Sequence, residues 1–195
     1  MPTQGSRTKF WHMALRFWSE QTHPHRELIV LCDDPETLAR IPRADGVRVY
    51  AAGGLRTLGE KRNHLNSLAR GEFIAHWDDD DYSHPDRLTD QVKRLIETGA
   101  AVTGYRLMEF TGNGKWLYRG APDFVLGTSL MYRRDWWERN QFKAIQVGED
   151  NDFVRRAAAS NQLAVADGLG MMIARDHEAN TSGRQRNSKQ WERIG

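Results

Sequence analysis

The residues best suited to chemistry are the four consecutive aspartates 78–81, which directly follow the apolar segment 73–77. Unit charges about 4 Å apart repel by about 4 kcal/mol at an effective dielectric constant of about 20. Four of them at a strand end therefore require a cation or wide access to solvent, and oxygen ligands suit Mn²⁺ or Mg²⁺. An acidic loop before a helix N-terminus explains Asp86 and Asp81 but not Asp78 to Asp80. The segment predicts a metal and nucleotide site.

A second acidic patch lies at residues 148–152, where Glu149 and Asp150 precede a helical pattern. A carboxylate there could act as a general base on a substrate proton, and capping of the helix is an equally good interpretation. His177 follows an apolar segment and is either structural or a contact to a metal or a diphosphate. The other histidines have no ligand spacing, so a zinc site is not supported.

Arg62 lies near the start of a helical pattern over 57–70. A guanidinium at a helix N-terminus can clamp a diphosphate, although Lys61 and Arg62 could instead form a solvated face. Asp33 and Asp34 follow an apolar segment and could hold a base or a ribose through hydrogen bonds. On their own they are ordinary turn residues.

Predicted strands and helices alternate through about residue 100 and would position these groups. Helical periodicity covers 8–21 and 57–70, with Gly71 expected as the C-cap, and Ser83 to Asp86 are typical of a helix start. Three short apolar segments predict strands: 27–32, 47–51 and 73–77. This alternation favours an α/β unit that binds ligands beyond the carboxyl ends of parallel strands.

Beyond residue 100 the pattern changes to short strands with glycine turns over 101–133, then a helix over 150–160 and two more strands. The predicted fold is α/β, a mostly parallel central sheet flanked by helices with a smaller mixed-sheet region. We expect one domain over 1–195, with a nucleotide-binding half at 1–100 and an acceptor or catalytic half at 101–195.

The composition is that of an ordinary globular chain, with 195 residues, 39% hydrophobic and 28% charged. These values exclude disordered and low-complexity proteins, and a net charge of +2 is weak support for a nucleic-acid binder. The longest apolar run, 28–32, is far short of the ~20 residues that cross a bilayer. With no visible secretory signal and the single cysteine Cys32, we expect a soluble, cytoplasmic protein without a transmembrane segment.

Taken in chain order, these segments resemble a family 2 glycosyltransferase with the GT-A fold. The likeness rests on a Pro-Thr loop, an aspartate after the Gln21 to Val30 segment, a Gly…Arg-Asn segment, a D-x-D-D motif, a Glu-Asp pair and a late histidine. The matching residues are Pro2, Thr3, Arg7, Asp33, Gly59, Arg62, Asn63, Asp78, Asp80, Asp81, Glu149, Asp150 and His177. The likeness covers nearly the whole chain, and the order of the motifs makes it specific.

The resemblance implies an inverting transfer from a nucleotide-diphosphate sugar. The implied nucleotide-sugar-binding residues are Pro2, Thr3, Arg7, Asp33, Arg62, Asn63, Asp78 and Asp79. Asp33 and Arg62 would hold the nucleotide and Asp78 the ribose, while Asp80, helped by His177, would hold Mn²⁺ or Mg²⁺ on the diphosphate.

The resemblance also implies that Asp150 deprotonates the acceptor hydroxyl. Glu149 is the less favoured base, because family members use the second residue of the pair. The acceptor is left open as a saccharide, a lipid-linked sugar, a protein or a modified nucleobase. Aromatic residues over 104–142 are expected to shape its side of the site, with core packing the better interpretation for about half of them.

One departure concerns the first strand, because in the family an apolar strand precedes the Pro-Thr loop and here the sequence starts at Met1. Either the start of the sequence is assigned too late, or the protein lacks that central strand. A missing strand would leave apolar surface and backbone groups uncovered on its neighbours. Two alternative functions follow from the same residues. One is a catalytically impaired remnant that binds a sugar or a partner, and the other is a metal-dependent nucleotidyltransferase or phosphohydrolase. The second lacks a glycine-rich phosphate loop.

Overall fold

The computed structural model describes residues 1–177, 186 and 188–195. Its helices are α1 (Thr8–Ser19), α2 (Leu58–Leu68), α3 (Arg87–Thr98), α4 (Arg134–Arg139) and α5 (Glu149–Ala159). Its strands are β1 (Pro2–Thr3), β2 (Leu28–Cys32), β3 (Val47–Ala51), β4 (Phe73–Ala75), β5 (Tyr82–Ser83), β6 (Val102–Gly112), β7 (Gly114–Arg119), β8 (Met131–Arg133), β9 (Leu163–Asp167), β10 (Met172–Arg175) and β11 (Trp191–Arg193).

The first sheet is parallel, in the order β1-β2-β3. Strand β2 is buried at all five positions, as expected for an apolar strand covered on both faces. Its carboxyl end leads into Asp33 and Asp34, and Asp34 caps a short 3-10 helix by accepting from Glu36 N. Asp34 is therefore a turn residue, and Asp33 is left to face the neighbouring helix α2.

The second sheet is mixed and holds eight of the described strands. Its central strand is β6, which pairs in parallel with β9 and β10 and in antiparallel with β7 and β8. The predicted α/β class with one parallel and one mixed sheet is confirmed, but the mixed sheet is the larger of the two.

Three local predictions were wrong. Strand β4 joins the mixed sheet by pairing antiparallel with β8, although its place in the pattern favoured the parallel sheet. Ser83 lies in β5, and α3 begins at Arg87 after Asp86, because the Ser83 hydroxyl accepts from Arg87 instead of capping the helix. Helix α2 ends at Leu68 with Ala69 already extended, because the chain turns at once toward β4, so Gly71 is not its C-cap.

An apolar cavity of about 390 Å³ lies between β2 and β4. Leu28 and Ile29 line one side of it and Phe73 to Ala75 line the other, and Met1 closes one end with its amino group donating to Ile29 O. Within the described residues β4 pairs only with β8, and the cavity lies along its other edge.

Candidate active site

A cavity of about 430 Å³ opens where the two sheets meet. Ten residues predicted for the site line it: Pro2, Thr3, Arg7, Asp33, Arg62, Asp78, Asp79, Asp80, Glu149 and Asp150. They come from chain segments up to about 150 positions apart, which only folding brings together. The cavity is also lined by Gly127 and Thr128 and by residues 146–151, which include the start of α5.

Asp33 forms an ion pair with Lys61, whose Nζ lies 2.6 Å from Asp33 Oδ2. The Lys61 side chain is only 13% exposed, so the interpretation of Lys61 and Arg62 as a solvated face is wrong. Helix α2 turns this cation toward the end of β2 because the Thr57–Glu60 capping box fixes where the helix starts. A carboxylate and an ammonium thus stand side by side at one end of the cavity.

Arg62 is buried, and its Nε donates to Glu149 Oε1 at 3.1 Å. Its Nη2 lies 3.9 Å from Asp78 Oδ1. Burial alone would lower the pKa of Arg62, but Asp78 and Glu149 outweigh it and raise that pKa. Burial raises the pKa of Glu149 against the opposing effect of Arg62. Glu149 is therefore committed to Arg62, which ties the start of α5 to α2.

Gly59 makes this approach of α2 and the loop before α5 possible. A Cβ at Gly59 would overlap the carbonyl of Lys143, and the Gly59 amide donates to Ile145 O at 3.1 Å. The backbone of residues 143–145 therefore packs directly on the first turn of the helix. This contact sets the distance between Arg62 and Glu149.

The acidic loop after β4 is held by donors from the N-terminal segment. Arg7 donates to both Asp79 and Asp80, and the Thr3 hydroxyl donates to Asp79 while accepting from Trp11. His177 Nε2 lies 2.7 Å from Asp80 Oδ2, although His177 does not line the cavity itself. Arg7 and Thr3 thus organise the loop, and their contact with a nucleotide sugar stays a prediction.

Asp81 is the last residue of the acidic loop, residues 78–81, and it is buried. It accepts from the Thr128 hydroxyl at 2.5 Å and from Arg175 N at 2.9 Å. Burial, followed by the charges of Asp80 and Asp78, raises the pKa of Asp81 from 3.8 to about 7. Burial, together with the two neighbouring carboxylates, therefore makes Asp81 a member of the acidic loop that resists ionisation.

Replacing Asp81 with Asn should stabilise the protein in the presence of a chelator. The unfolded state loses the proton near pH 3.8 and the folded state only near 7, so ionisation opposes folding as the pH rises through this window. The gain should be near zero below pH 4 and reach about 2–4 kcal/mol above pH 7. Urea unfolding at pH 4 and pH 8 measures it. Asp152→Asn is the control, because ion pairs with Lys143 and Arg156 lower the pKa of Asp152, so that variant should lose stability at pH 8. An equal effect of Asp81→Asn at both pH values would contradict the prediction.

Asp150 stands at the start of α5 with its carboxylate against Gly127, where a Cβ would overlap Asp150 Oδ2. Its Oδ1 accepts from Asn151 N at 2.8 Å. Gly148 is the N-cap of α5, and no side chain caps it, so helix capping does not account for Asp150. Within the described residues Asp150 has no ion-pair partner inside 4 Å, and its carboxylate faces the cavity.

Asn63 lies outside the cavity, although the resemblance placed it among the nucleotide-sugar contacts. Its Nδ2 donates to Phe142 O at 2.8 Å, and its Oδ1 accepts from Trp137 Nε1 and Phe142 N at 3.0 Å. Both the nitrogen and the oxygen of the amide thus hold the segment after α4 against α2.

The aromatic residues after residue 100 divide into two groups. Phe110, Tyr118 and Phe124 line the cavity, although Phe110 is also a buried core residue at 1% exposure. Tyr132 and Trp137 pack in the core and do not line the cavity. Core packing thus accounts for part of the aromatic set, as expected.

Within residues 1–177, 186 and 188–195, which the structure describes, no three or more histidine, cysteine, aspartate or glutamate side chains form a group that could hold a metal ion. Over the same ranges no helix combines the length and apolar character that crossing a membrane requires.

The model of the family described as glycosyl transferase family 2 matches residues 12–162. The chain belongs to glycosyl transferase family 2. The matched segment contains Asp33, Arg62, the acidic loop and Asp150, so most of the cavity lining lies in the part of the chain that defines the family, while Pro2, Thr3, Gln4 and Arg7 precede it. Comparison with curated proteins found no significant match.

Solved structures with the same fold include three that the chain resembles at low sequence identity. The S. aureus TarS 1–349 structure in complex with UDP-GlcNAc has a TM-score of 0.73 and 19% identity, over 92% of this chain and 59% of that one. The structure of S. aureus TarS gives 0.69 and 20%, over 90% and 36%. The mannosyltransferase PcManGT from Pyrobaculum calidifontis, in complex with GDP-Man and Mn²⁺, gives 0.68 and 15%, over 90% and 55%. The family 2 chain thus spans little more than half the length of the TarS 1–349 chain and of PcManGT.

Sequence reasoning gave no site role to several cavity residues, among them Lys61, Gly127 and Thr128. Lys61 carried a usable signal, because it precedes Arg62 at a predicted helix start. Gly127 and Thr128 carried none, since a neutral turn between two strands has no charge or spacing that marks it.

Proposed function

We propose that this protein transfers a sugar, with inversion, from a nucleotide-diphosphate sugar to an acceptor hydroxyl. The observation that carries the proposal is that one cavity joins Asp33, Arg62 and Asp78 from the first half of the chain to Asp150 at the start of α5. A donor-binding set and a carboxylate without an ion-pair partner thus face the same space. Family membership supports the reaction class.

The donor would lie along the end formed by β2, α2 and the acidic loop. Asp33 can accept from the N–H groups of a base, and its partner Lys61 adds a cation next to it. Asp78 would accept from ribose hydroxyls, and Arg62 would contribute positive charge to the binding of the diphosphate. TarS 1–349 with UDP-GlcNAc and PcManGT with GDP-Man support a donor of this class.

The oxygen of Asp80 and the ring nitrogen of His177 have the donor chemistry to bind a divalent cation, Mn²⁺ or Mg²⁺. Arg7 Nη2 lies 2.6 Å from Asp80 Oδ2, and this contact would have to give way to the cation. Asp80 Oδ2 and His177 Nε2 lie 2.7 Å apart and would hold it, with phosphate oxygens and water filling the remaining positions. When bound, it would neutralise charge on the diphosphate leaving group. The Mn²⁺ in the PcManGT complex supports this assignment.

Asp150 would act as the general base. The acceptor oxygen attacks the anomeric carbon as Asp150 takes its proton, and the bond from that carbon to the diphosphate oxygen breaks. Glu149 is unsuited to this role because it is 2% exposed and bound to Arg62. Tyr118 and Phe124 offer aromatic surface on the acceptor side.

Thermal unfolding with UDP- and GDP-sugars, each with and without Mn²⁺, tests donor binding. A ligand at about 100 times its Kd adds about 2.7 kcal/mol, and we expect one nucleotide sugar to raise the Tm by about 5–10 °C only when Mn²⁺ is present. Asp80→Asn should abolish the Mn²⁺-dependent part of this shift. Asp86→Asn, which changes an exposed aspartate outside the cavity, should keep it.

Two other outcomes of the unfolding experiment would contradict the proposed transfer reaction. No shift with any nucleotide, from a sample that unfolds cooperatively, would favour the remnant that binds a sugar or a partner. A shift with nucleoside triphosphates alone, with release of pyrophosphate, would favour the nucleotidyltransferase.

A further inference from the structure

The turn Gly127–Ser129 contacts both Asp150 and Asp81, the last residue of the acidic loop. Gly127 packs against the Asp150 carboxylate, which occupies the space that a side chain at 127 would need. The next residue, Thr128, donates its hydroxyl proton to Asp81 Oδ2 at 2.5 Å. Any shift of this turn would therefore move the surroundings of the proposed base and of the acidic loop together.

Three buried side chains donate to the carbonyls of this turn from behind. His76 Nδ1 lies 2.6 Å from Gly127 O, Arg87 Nη2 lies 3.2 Å from Thr128 O, and Gln91 Nε2 lies 2.6 Å from Ser129 O. All three side chains are 4% exposed or less. Each carbonyl of the turn thus has its own buried donor.

His76 must carry its proton on Nδ1, because the carbonyl of Gly127 can only accept. Its Nε2 is buried and has no hydrogen-bond partner in the described structure. Burial, helped by the charges of Arg62 and Arg87, holds the pKa of His76 well below its usual value. The ring is therefore a neutral, fixed donor, and it tolerates an unsatisfied nitrogen to make one contact.

Arg87 is 1% exposed and has no carboxylate within 4 Å among the described residues. It donates to Ser83 Oγ, His76 O and Thr128 O, and it packs over the Trp77 ring at 5.3 Å. Burying a charge without an ionic partner is costly. In return, the Arg87 guanidinium links the turn at Thr128 to His76 and Ser83, which flank the acidic loop on either side.

We propose that His76, Arg87 and Gln91 are positioning residues, which hold the turn 127–129 so that Asp150 meets the acceptor hydroxyl in a productive geometry. This inference rests on the transfer reaction proposed above. It assigns to the buried face of the turn a role in the chemical step, through Gly127 and Asp150. An effect on donor binding would act only through Thr128 and Asp81, and within the described structure the His76 side chain makes no hydrogen bond to either residue.

The test compares His76→Leu, which removes the donor, with His76→Asn, whose amide can still donate to Gly127 O. His12→Leu is the matched control on the exposed face of α1. A misplacement of about 1 Å can cost about 100-fold in rate, so His76→Leu should lower kcat by about 10- to 100-fold. The donor KM should stay within about 2-fold, and His76→Asn and His12→Leu should keep a kcat near the wild-type value.

Hydrogen exchange gives a readout that does not depend on turnover. The amides of Ser129 and Leu130 donate to Leu126 O and Gly127 O within the turn, and they should exchange faster in His76→Leu than in His76→Asn. An unchanged kcat in His76→Leu, or equal losses in both variants without faster exchange, would overturn the inference. If the wild-type protein transfers no sugar, the proposed function fails. Exchange then decides separately whether His76 anchors the turn.

Discussion

Asp150→Asn should lower the rate of sugar transfer by about 100- to 10,000-fold while leaving donor binding nearly unchanged. The amide has the shape of the carboxylate and can still accept from Asn151 N through Oδ1, but it cannot take a proton from the acceptor. Because Asp150 has no ion-pair partner in the described structure, its loss should not leave a buried charge unpaired. Steady-state kinetics together with the ligand-induced change in Tm separate the two effects.

Asp152→Asn is the matched control for this variant. Asp152 lies on the same first turn of α5, but it pairs with Lys143 and Arg156 and does not line the cavity. Its transfer rate should stay within about 2-fold of wild type. Transfer that survives in Asp150→Asn and is lost in Glu149→Gln would reverse the assignment of the base.

Arg62→Met should lower the free energy of unfolding by about 3–5 kcal/mol, the usual cost of breaking a buried ion pair from one side. The change leaves Glu149 buried and uncompensated at 2% exposure, and it removes the cation nearest to Asp78. Urea unfolding without ligand measures this loss. The same variant should also bind the donor poorly, since the cavity keeps its carboxylates and loses a cation.

The double variant Arg62→Met, Glu149→Leu distinguishes charge from packing. If the loss in Arg62→Met comes from the unpaired carboxylate, removing Glu149 as well should restore most of the stability. Donor binding should stay weak, because the cation is still absent. A double variant as unstable as the single one would show that Arg62 acts through packing, and an Arg62→Met protein as stable as wild type would contradict the buried ion pair.

Much of the nucleotide-binding half could be predicted from local patterns. The bounds of β2 and β3 follow from short apolar segments, and those of α1 and α2 follow from helical periodicity to within about two residues. The position of the acidic loop follows in the same way, because the apolar segment 73–77 ends where the four aspartates begin. These features depend on neighbours in the sequence.

The partners of each strand and each charge could not be read in that way. Arg62 and Glu149 are 87 positions apart and Asp33 and Lys61 are 28 apart, and no local periodicity encodes which cation meets which carboxylate. Strand β4 joined the mixed sheet because β8 offered it backbone partners, while an apolar cavity separates it from β2.

The family resemblance, the α/β class and the residue types available for chemistry follow from the sequence alone, because motifs and hydrophobic spacing are local. Folding established that Glu149 pairs with Arg62 while Asp150 faces the cavity, and that Asn63 is turned away from it. It also placed the neutral turn 127–129 between Asp150 and the acidic loop. The physical reason is that burial and hydrogen-bond satisfaction are set by packing between distant segments, and packing assigns each polar side chain its partner.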